Sequence, residues 1–264
     1  MKATVFLGGG RITGALCAGL RLAGDQRELV VYDRHPKKLQ ALRRESRIQI
    51  ARDLKSAIAQ AGLLIIAVRP GSVKEMLREV EACGATPPEL CVSLAAGIPF
   101  RNLRKWLGPP VRWMRAMPSP VCRIGRGLTP LSFDRGVTKN DCAHLRKLFA
   151  LVGPVIDLPE SQMDAITATH SPTQGYQALA NLAGAAQRAG LNRKAALIAA
   201  AHALSDGINY WRESGLELDE LLHEAATPGG IAAATMAAMD QAGYARVVRK
   251  GVSAGIAQAR RNAK

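Results

Sequence analysis

The stretch that decides the fold is Thr4-Val5-Phe6-Leu7-Gly8-Gly9-Gly10-Arg11-Ile12-Thr13-Gly14-Ala15-Leu16. A short β-forming run enters three glycines, and residues at helical spacing follow. Glycine is needed where backbone turns tightly and must approach a pyrophosphate without a Cβ in the way. The helix that follows would turn unpaired N–H groups and a positive dipole end towards phosphates. Gly8 and Gly10 match the first two glycines of G-x-G-x-x-G, but the third position is Thr13 and Gly14 arrives one residue late. A second strand, Glu28–Asp33, ends in a carboxylate 25 positions after Gly8. An acidic residue there commonly takes the ribose hydroxyls of a dinucleotide. The plain alternatives are a structural glycine turn and a surface-capping Asp33. Asp33 favours NAD, whereas Arg34, Lys37 and Lys38 offer either a clamp for a 2′-phosphate or a solvated helix face. Local charge tips that balance towards NADP.

Outward from this turn, residues 1–158 alternate short β-rich runs with helical stretches. "LLIIAV", residues 63–68, lacks alternation, as a strand buried on both faces does. "VRWMRAM", "LTPLSF" and "PVIDL" read as later strands, with a helix between the last two. Strand–helix alternation with short connections predicts a parallel sheet covered by helices on both sides, a doubly wound α/β fold of Rossmann type. After residue 158 strand signals stop. Residues 161–190 read as one long helix rich in Ala and Gly, and further helices follow to the end. The expected division is a dinucleotide-binding domain, 1–158, and an all-α domain, 159–264, whose small residues let helices pack closely within a bundle or between subunits.

Composition agrees with a globular protein. The chain has 264 residues, 48% hydrophobic and 22% charged, which disfavours disorder and a fibre. No run approaches the ~20 apolar residues a membrane span needs, and the N-terminus is too short in apolar residues for a secretion signal. Five scattered cysteines without C-x-x-C read as reduced thiols of a cytoplasmic protein, with no metal site. The net charge of +15 is lopsided: residues 1–158 hold 26 Lys/Arg against 12 Asp/Glu. This points to an anionic ligand, either a phosphate-rich cofactor or a nucleic acid, or else to a solvated basic face.

Six ordered motifs carry a family resemblance. They are "VFLGGGRITGAL", "AVRP" (Ala67, Val68, Arg69, Pro70), "SLAAGIPFRNLRKWLG", "VRWMRAMPSP" with "GRGLT", "ESQMDAITA" and "ATPGGIAAA". Together the chain resembles the pyrroline-5-carboxylate reductases over essentially its whole length. The resemblance implies a Rossmann domain, a helical domain that pairs with a second subunit as a homodimer or higher oligomer, and NADPH or NADH as cofactor. It implies hydride delivery to the C=N carbon of a cyclic imino acid. Gly8, Gly10, Arg11, Ile12, Asp33, Arg34, Ala67, Val68, Arg69, Pro70, Ala95 and Gly97 fall on the cofactor side. Ser119, Thr173, Gly229, Gly230 and Ile231 fall on the substrate side, where the Gly229–Gly230 helix start suits a carboxylate.

The departures cluster at the substrate end. The family's S-G-S-G-P-A-Y becomes His170 to Tyr176, and the threonines after P-G-G become Ile231 and Ala232. His170 is the candidate proton donor, because imidazole titrates near neutral pH. Tyr176 is a second candidate. Each also reads as a packing residue. The leading expectation is an NAD(P)H-dependent reductase of a small imine. Alternatives are a dinucleotide-binding sensor with little turnover, a deazaflavin enzyme on the same fold, and a basic nucleic-acid binder. The last is weakest, because aromatics are only 4% and no recognition motif accompanies the charge.

Overall fold

The computed structural model describes residues 2–263. It divides into two compact units, Met1–His170 with Gly255–Lys264, and Ser171–Ala254.

The first unit alternates β1 (Ala3–Leu7), α1 (Arg11–Leu22), β2 (Leu29–Tyr32), α2 (Leu39–Ser46), β3 (Gln49–Ile50), α3 (Leu54–Ala59), β4 (Ala61–Ile66), α4 (Val73–Ala82), β5 (Leu90–Ser93), α5 (Phe100–Trp106), β6 (Arg112–Ala116), β7 (Thr129–Phe133), α6 (Lys139–Ala150), β8 (Val155–Asp157) and α7 (Met163–Thr169). One eight-stranded sheet results, in the order β3-β2-β1-β4-β5-β6-β7-β8. Its reversal of strand order between β1 and β4 is the switch point at which doubly wound sheets bind ligands beyond the strand C-termini.

The sheet has a core on each face, as period-2 side-chain alternation requires. Val5 and Leu7 of β1 join Leu64, Ile66, Leu77, Phe100 and Trp113 on one side. Phe6 joins Leu16, Val31, Ile65, Met114 and Phe149 on the other. The local starts follow sequence chemistry. Asp53 caps α3 by accepting the Ser56 N–H at 2.7 Å, and Thr138 caps α6 by accepting the Asp141 N–H.

Two expectations need correction. The sheet is not wholly parallel, since β7 runs antiparallel to β6. The link between them, residues 117–128, holds a 3-10 turn, Pro120–Ile124, and no α-helix of the kind that usually carries a parallel crossover. The single long helix expected over 161–190 is also broken. A 3-10 turn, Glu160–Gln162, leads into α7, and a new helix, α8 (Thr173–Arg188), begins after Pro172. Proline has no N–H for the i−4 carbonyl and disfavours helical backbone at the residue before it, Ser171.

The second unit begins with α8 and continues through α9 (Arg193–Ser214), α10 (Leu218–Ala225) and α11 (Ile231–Gln241) into α12 (Tyr244–Asn262), whose last turns belong to the first unit. Among the described residues no helix is long and apolar enough to cross a membrane, and no three His, Cys, Asp or Glu side chains are grouped to hold a metal. All five cysteines are free; burial pushes the Cys17 and Cys122 thiols up to about 12.

Trp113 is fully buried and its indole N–H donates to the Leu107 carbonyl at 3.0 Å. Trp113→Ala is expected to cost about 3–5 kcal/mol through cavity formation, measured as a lowered midpoint in chemical denaturation.

Candidate active site

The site is built where β1, β2 and β4 end side by side. Gly8 leaves β1 with φ +107°, its N–H donating to the Tyr32 carbonyl at 2.8 Å. A Cβ there would sit 2.7 Å from the Ala67 carbonyl oxygen, so only glycine lets the two chain turns come this close. Thr13, which replaces the third glycine of the motif, is fully buried, and its hydroxyl donates to the Gly8 carbonyl at 2.6 Å. The departure in the motif thus locks the turn instead of loosening it.

Gly10 stands at the N-cap of α1, with no side-chain cap and no acidic residue in the first turn. Nothing lies within 4 Å of the place its Cβ would occupy. The first-turn N–H groups therefore lack a side-chain acceptor, and the dipole end there favours an anion.

Asp33 follows β2. Its Oδ2 accepts the Gly9 N–H at 2.8 Å and its Oδ1 accepts the His35 N–H at 2.9 Å. Arg34 is turned to α4, where it pairs with Glu75 and Glu79. Those two carboxylates, Glu79 foremost, hold the Arg34 guanidinium above its ordinary pKa.

A cavity of about 750 Å³ opens over these turns. Gly8, Gly10, Arg11, Ile12, Asp33, Arg34, Ala67, Val68 and Arg69 line it, together with His35, Ser72 and Met76, which sequence reasoning did not single out. Pro70 is not in the lining; it opens the adjacent 3-10 turn, Pro70–Ser72. Ala95 and Gly97 also lie outside the lining. Ala95 is packed in the core, and Gly97, at φ +80°, lets the Ala259 carbonyl approach to 2.0 Å of its missing Cβ. Asn262 and Asn102 tie the same loop to the chain end by hydrogen bonds to the Ala96 and Ala263 carbonyls.

The substrate-side residues fall on different elements of the two units. Ser119 is buried, and its hydroxyl accepts the Val121 N–H at the start of a 3-10 turn. Thr173 opens α8, its hydroxyl accepting from Ser171. Gly229 has φ +76°, Gly230 caps α11 without a side-chain hydrogen bond, and Ile231 is 89% exposed. Tyr176 lies in the first turn of α8 and is 66% exposed.

His170 does not sit early on a long helix. It closes α7, with Nδ1 2.7 Å from the Ile166 carbonyl and Nε2 2.8 Å from the Met117 carbonyl. Both ring nitrogens are engaged by backbone oxygens, which makes this side chain a brace between α7 and the end of β6.

Arg115, in β6, was also missed by the sequence reading. Its side chain is 3% exposed and lies 3.3 Å from Glu160 and 3.8 Å from Asp164. Burial pulls its pKa down, against the opposing pull of Glu160 and Asp164. Glu160 also accepts the Phe100 N–H at 2.6 Å. These carboxylates belong to the "ESQMDAITA" motif, so that motif serves to hold a buried cation.

Comparison with known proteins points the same way for both parts of the chain. The family model described as NADP oxidoreductase coenzyme F420-dependent matches residues 4–97, and that described as pyrroline-5-carboxylate reductase dimerisation matches residues 160–262. The chain is similar to the pyrroline-5-carboxylate reductases along nearly its whole length. A Mycobacterium leprae pyrroline-5-carboxylate reductase is 29% identical over 96% of this chain and 94% of its own. The fold matches that of the Streptococcus pyogenes 1-pyrroline-5-carboxylate reductase with a TM-score of 0.90 at 21% identity, covering 98% of each chain. It matches the Plasmodium falciparum pyrroline carboxylate reductase, solved with NADP bound, with a TM-score of 0.89 at 19% identity, covering 100% of this chain and 98% of the other.

Gly8→Ala is expected to destabilise the protein by about 1–3 kcal/mol, since it forces a side chain into strained backbone against a carbonyl. Gly10→Ala, with open space at its Cβ, is expected to stay within about 1 kcal/mol of the parent. Denaturant midpoints of the two variants check the contrast.

Proposed function

We propose that the protein is an NAD(P)H-dependent reductase of a C=N bond, with pyrroline-5-carboxylate or a related small imine as substrate. The observation that carries this reading is the cavity at the strand switch point, joined to relatives of that name along nearly the full chain. Residues 1–158 serve as the dinucleotide-binding domain and residues 159–264 as the helical dimerisation and substrate domain. The working form is a cytoplasmic homodimer or higher homo-oligomer.

The residues present fit NADPH or NADH. Gly8 and Gly10 leave space for a diphosphate, the uncapped start of α1 offers N–H groups to it, and Arg11 and Arg69 add positive charge at the cavity. Asp33 stands where a ribose hydroxyl donor is expected. Ala67, Val68 and Arg69 form the opposite wall, with Pro70, Ala95 and Gly97 shaping the loops beyond it. The bound nicotinamide supplies the hydride.

This chain's own task is to orient the imine, exclude water and supply a proton at the imine nitrogen. Gly229 and Gly230 start α11 without a side-chain cap and suit the substrate carboxylate. Ile231 follows this helix start with an apolar side chain. Ser119 and Thr173 are further candidates for substrate contact. Tyr176 Oη is the proton donor we assign; His170, held on two carbonyls, acts as a positioning residue that keeps α7 against the strand end.

The test adds NADPH or NADH with a panel of imines, including pyrroline-5-carboxylate, and follows loss of absorbance. Imine-dependent oxidation is expected, and Tyr176→Phe should lower kcat by about 10²-fold with a small change in KM. Dinucleotide binding without turnover of any imine would instead make the protein a sensor.

A further inference from the structure

We infer that Asn262, in the last turn of α12, is a positioning residue for the dinucleotide. It fixes the turn after β5, which borders the nicotinamide half of the site. The inference rests on the cavity being a dinucleotide site, and it concerns the half of the ligand that the cavity lining leaves unassigned.

Strand order sets where that half goes. A dinucleotide lies across the switch point of a doubly wound sheet, with one nucleotide on each side. Asp33, after β2, marks the adenosine side. The other nucleotide then passes over the ends of β4 and β5. These two strands pair, and the Leu94 N–H continues their ladder by donating to the Ile66 carbonyl at 2.9 Å. The turn 94–99 therefore leaves the sheet beside Ala67, Val68 and Arg69, which line the cavity.

Hydrogen bonds within this turn are long. The Ala95 N–H donates to Ser93 Oγ at 3.3 Å, and the Ile98 N–H reaches the Ala95 carbonyl at 3.5 Å. Shorter ties come from α12, whose last turns belong to the same unit. Asn262 Nδ2 donates to the Ala96 carbonyl at 3.1 Å. Asn102, in α5, holds the following residue by donating to the Ala263 carbonyl at 2.8 Å.

The Asn262 amide is oriented for this task. Its Oδ1 accepts from Gln258 Nε2 at 3.3 Å, and Gln258 Oε1 accepts from Arg261 Nε at 3.1 Å. With its oxygen used in this way, the amide presents its N–H to Ala96. Gly97 completes the fit at φ +80°, since a Cβ there would stand 2.0 Å from the Ala259 carbonyl oxygen. Beyond the turn, Glu160 accepts the Phe100 N–H at 2.6 Å. The segment is thus pinned at both ends, and Asn262 supplies the pin nearest the strand end.

The consequence is a difference between the two halves of the ligand. The adenosine half rests on Asp33 and the glycine turn, across the switch point. The nicotinamide half meets the turn that Asn262 holds. A tie that served stability alone would weaken both halves equally, or neither.

The experiment titrates the full-length protein with NADH and NADPH by calorimetry, without any imine. The matching adenosine fragment, ADP-ribose or its 2′-phosphate, is followed by its competition with the dinucleotide. Asn262→Ala is expected to lower affinity for the tighter-binding dinucleotide by about fivefold, the worth of one hydrogen bond. Fragment affinity should stay within about twofold. Asn262→Asp keeps the shape but sets an acceptor against the Ala96 carbonyl, so its selective loss should be at least as large. Asn102→Ala should show the same selectivity, and it decides the matter if Asn262→Ala does not fold. Equal losses on dinucleotide and fragment overturn the inference, as does unchanged dinucleotide affinity in Asn262→Asp. A parent protein that binds neither dinucleotide nor fragment overturns the cavity assignment, and this inference with it.

Discussion

The rest of the structure depends on the approach of Gly8 to the carbonyl of Ala67. These residues leave adjacent parallel strands, β1 and β4, at the point where the sheet reverses its order. The Ala67 N–H donates to Leu7, and the Gly8 N–H donates to Tyr32, so the ladder runs to the very lip of the cavity. A side chain at Gly8 would force these strand ends apart. The cavity, the start of α1 and the placing of Asp33 all follow from that one contact. Thr13 adds to it by satisfying the Gly8 carbonyl from inside α1. A buried hydrogen bond of this kind is costly to leave half-made, which gives the threonine a reason to stand where the motif has glycine.

A second constraint works farther along the sheet. Arg115 shares the face of Trp113 in β6 and would be an uncompensated charge inside the core without Glu160 and Asp164. Glu160 is itself fixed by the Phe100 N–H at the start of α5. The cation thereby joins β6, the loop before α5 and the start of α7. His170 closes the same region from the other end of α7, on the Met117 carbonyl. Histidine in this position behaves as a structural clasp.

Much of this architecture is legible in the chain itself, because strands buried on both faces announce themselves as apolar runs such as Leu63–Ile66, and the glycine turn has a motif. The cavity residues that come from the ends of β1, β2 and β4 are legible for the same reason. His35, Ser72 and Met76 are not, since their place at the cavity depends on how the turn after β2 and α4 meet in space. The orientation of β7 is hidden as well, because its apolar run reads the same in either direction. Two signals were present and stronger than they looked. Pro172 marks the break between α7 and α8, and Arg115 falls at core-facing parity in a strand, where a charge demands partners.

The pairing of Arg34 with α4 shows how folding redistributes charge that is counted along the sequence. Arg34, Lys37 and Lys38 form a basic run beside Asp33, and alone they suit a phosphate. Folding brings Glu75 and Glu79 from a helix 41 and 45 positions away onto the first of them. The second unit makes a parallel point about apolar surface. Ala183, Ala196 and Ala200 are its buried residues on α8 and α9, whereas Ile208, Tyr210, Trp211 and Ile231 remain exposed in the single chain. Helices this rich in alanine bury little apolar area per residue. The match of residues 160–262 to a dimerisation family is consistent with that exposed apolar surface, which a homo-oligomer would cover.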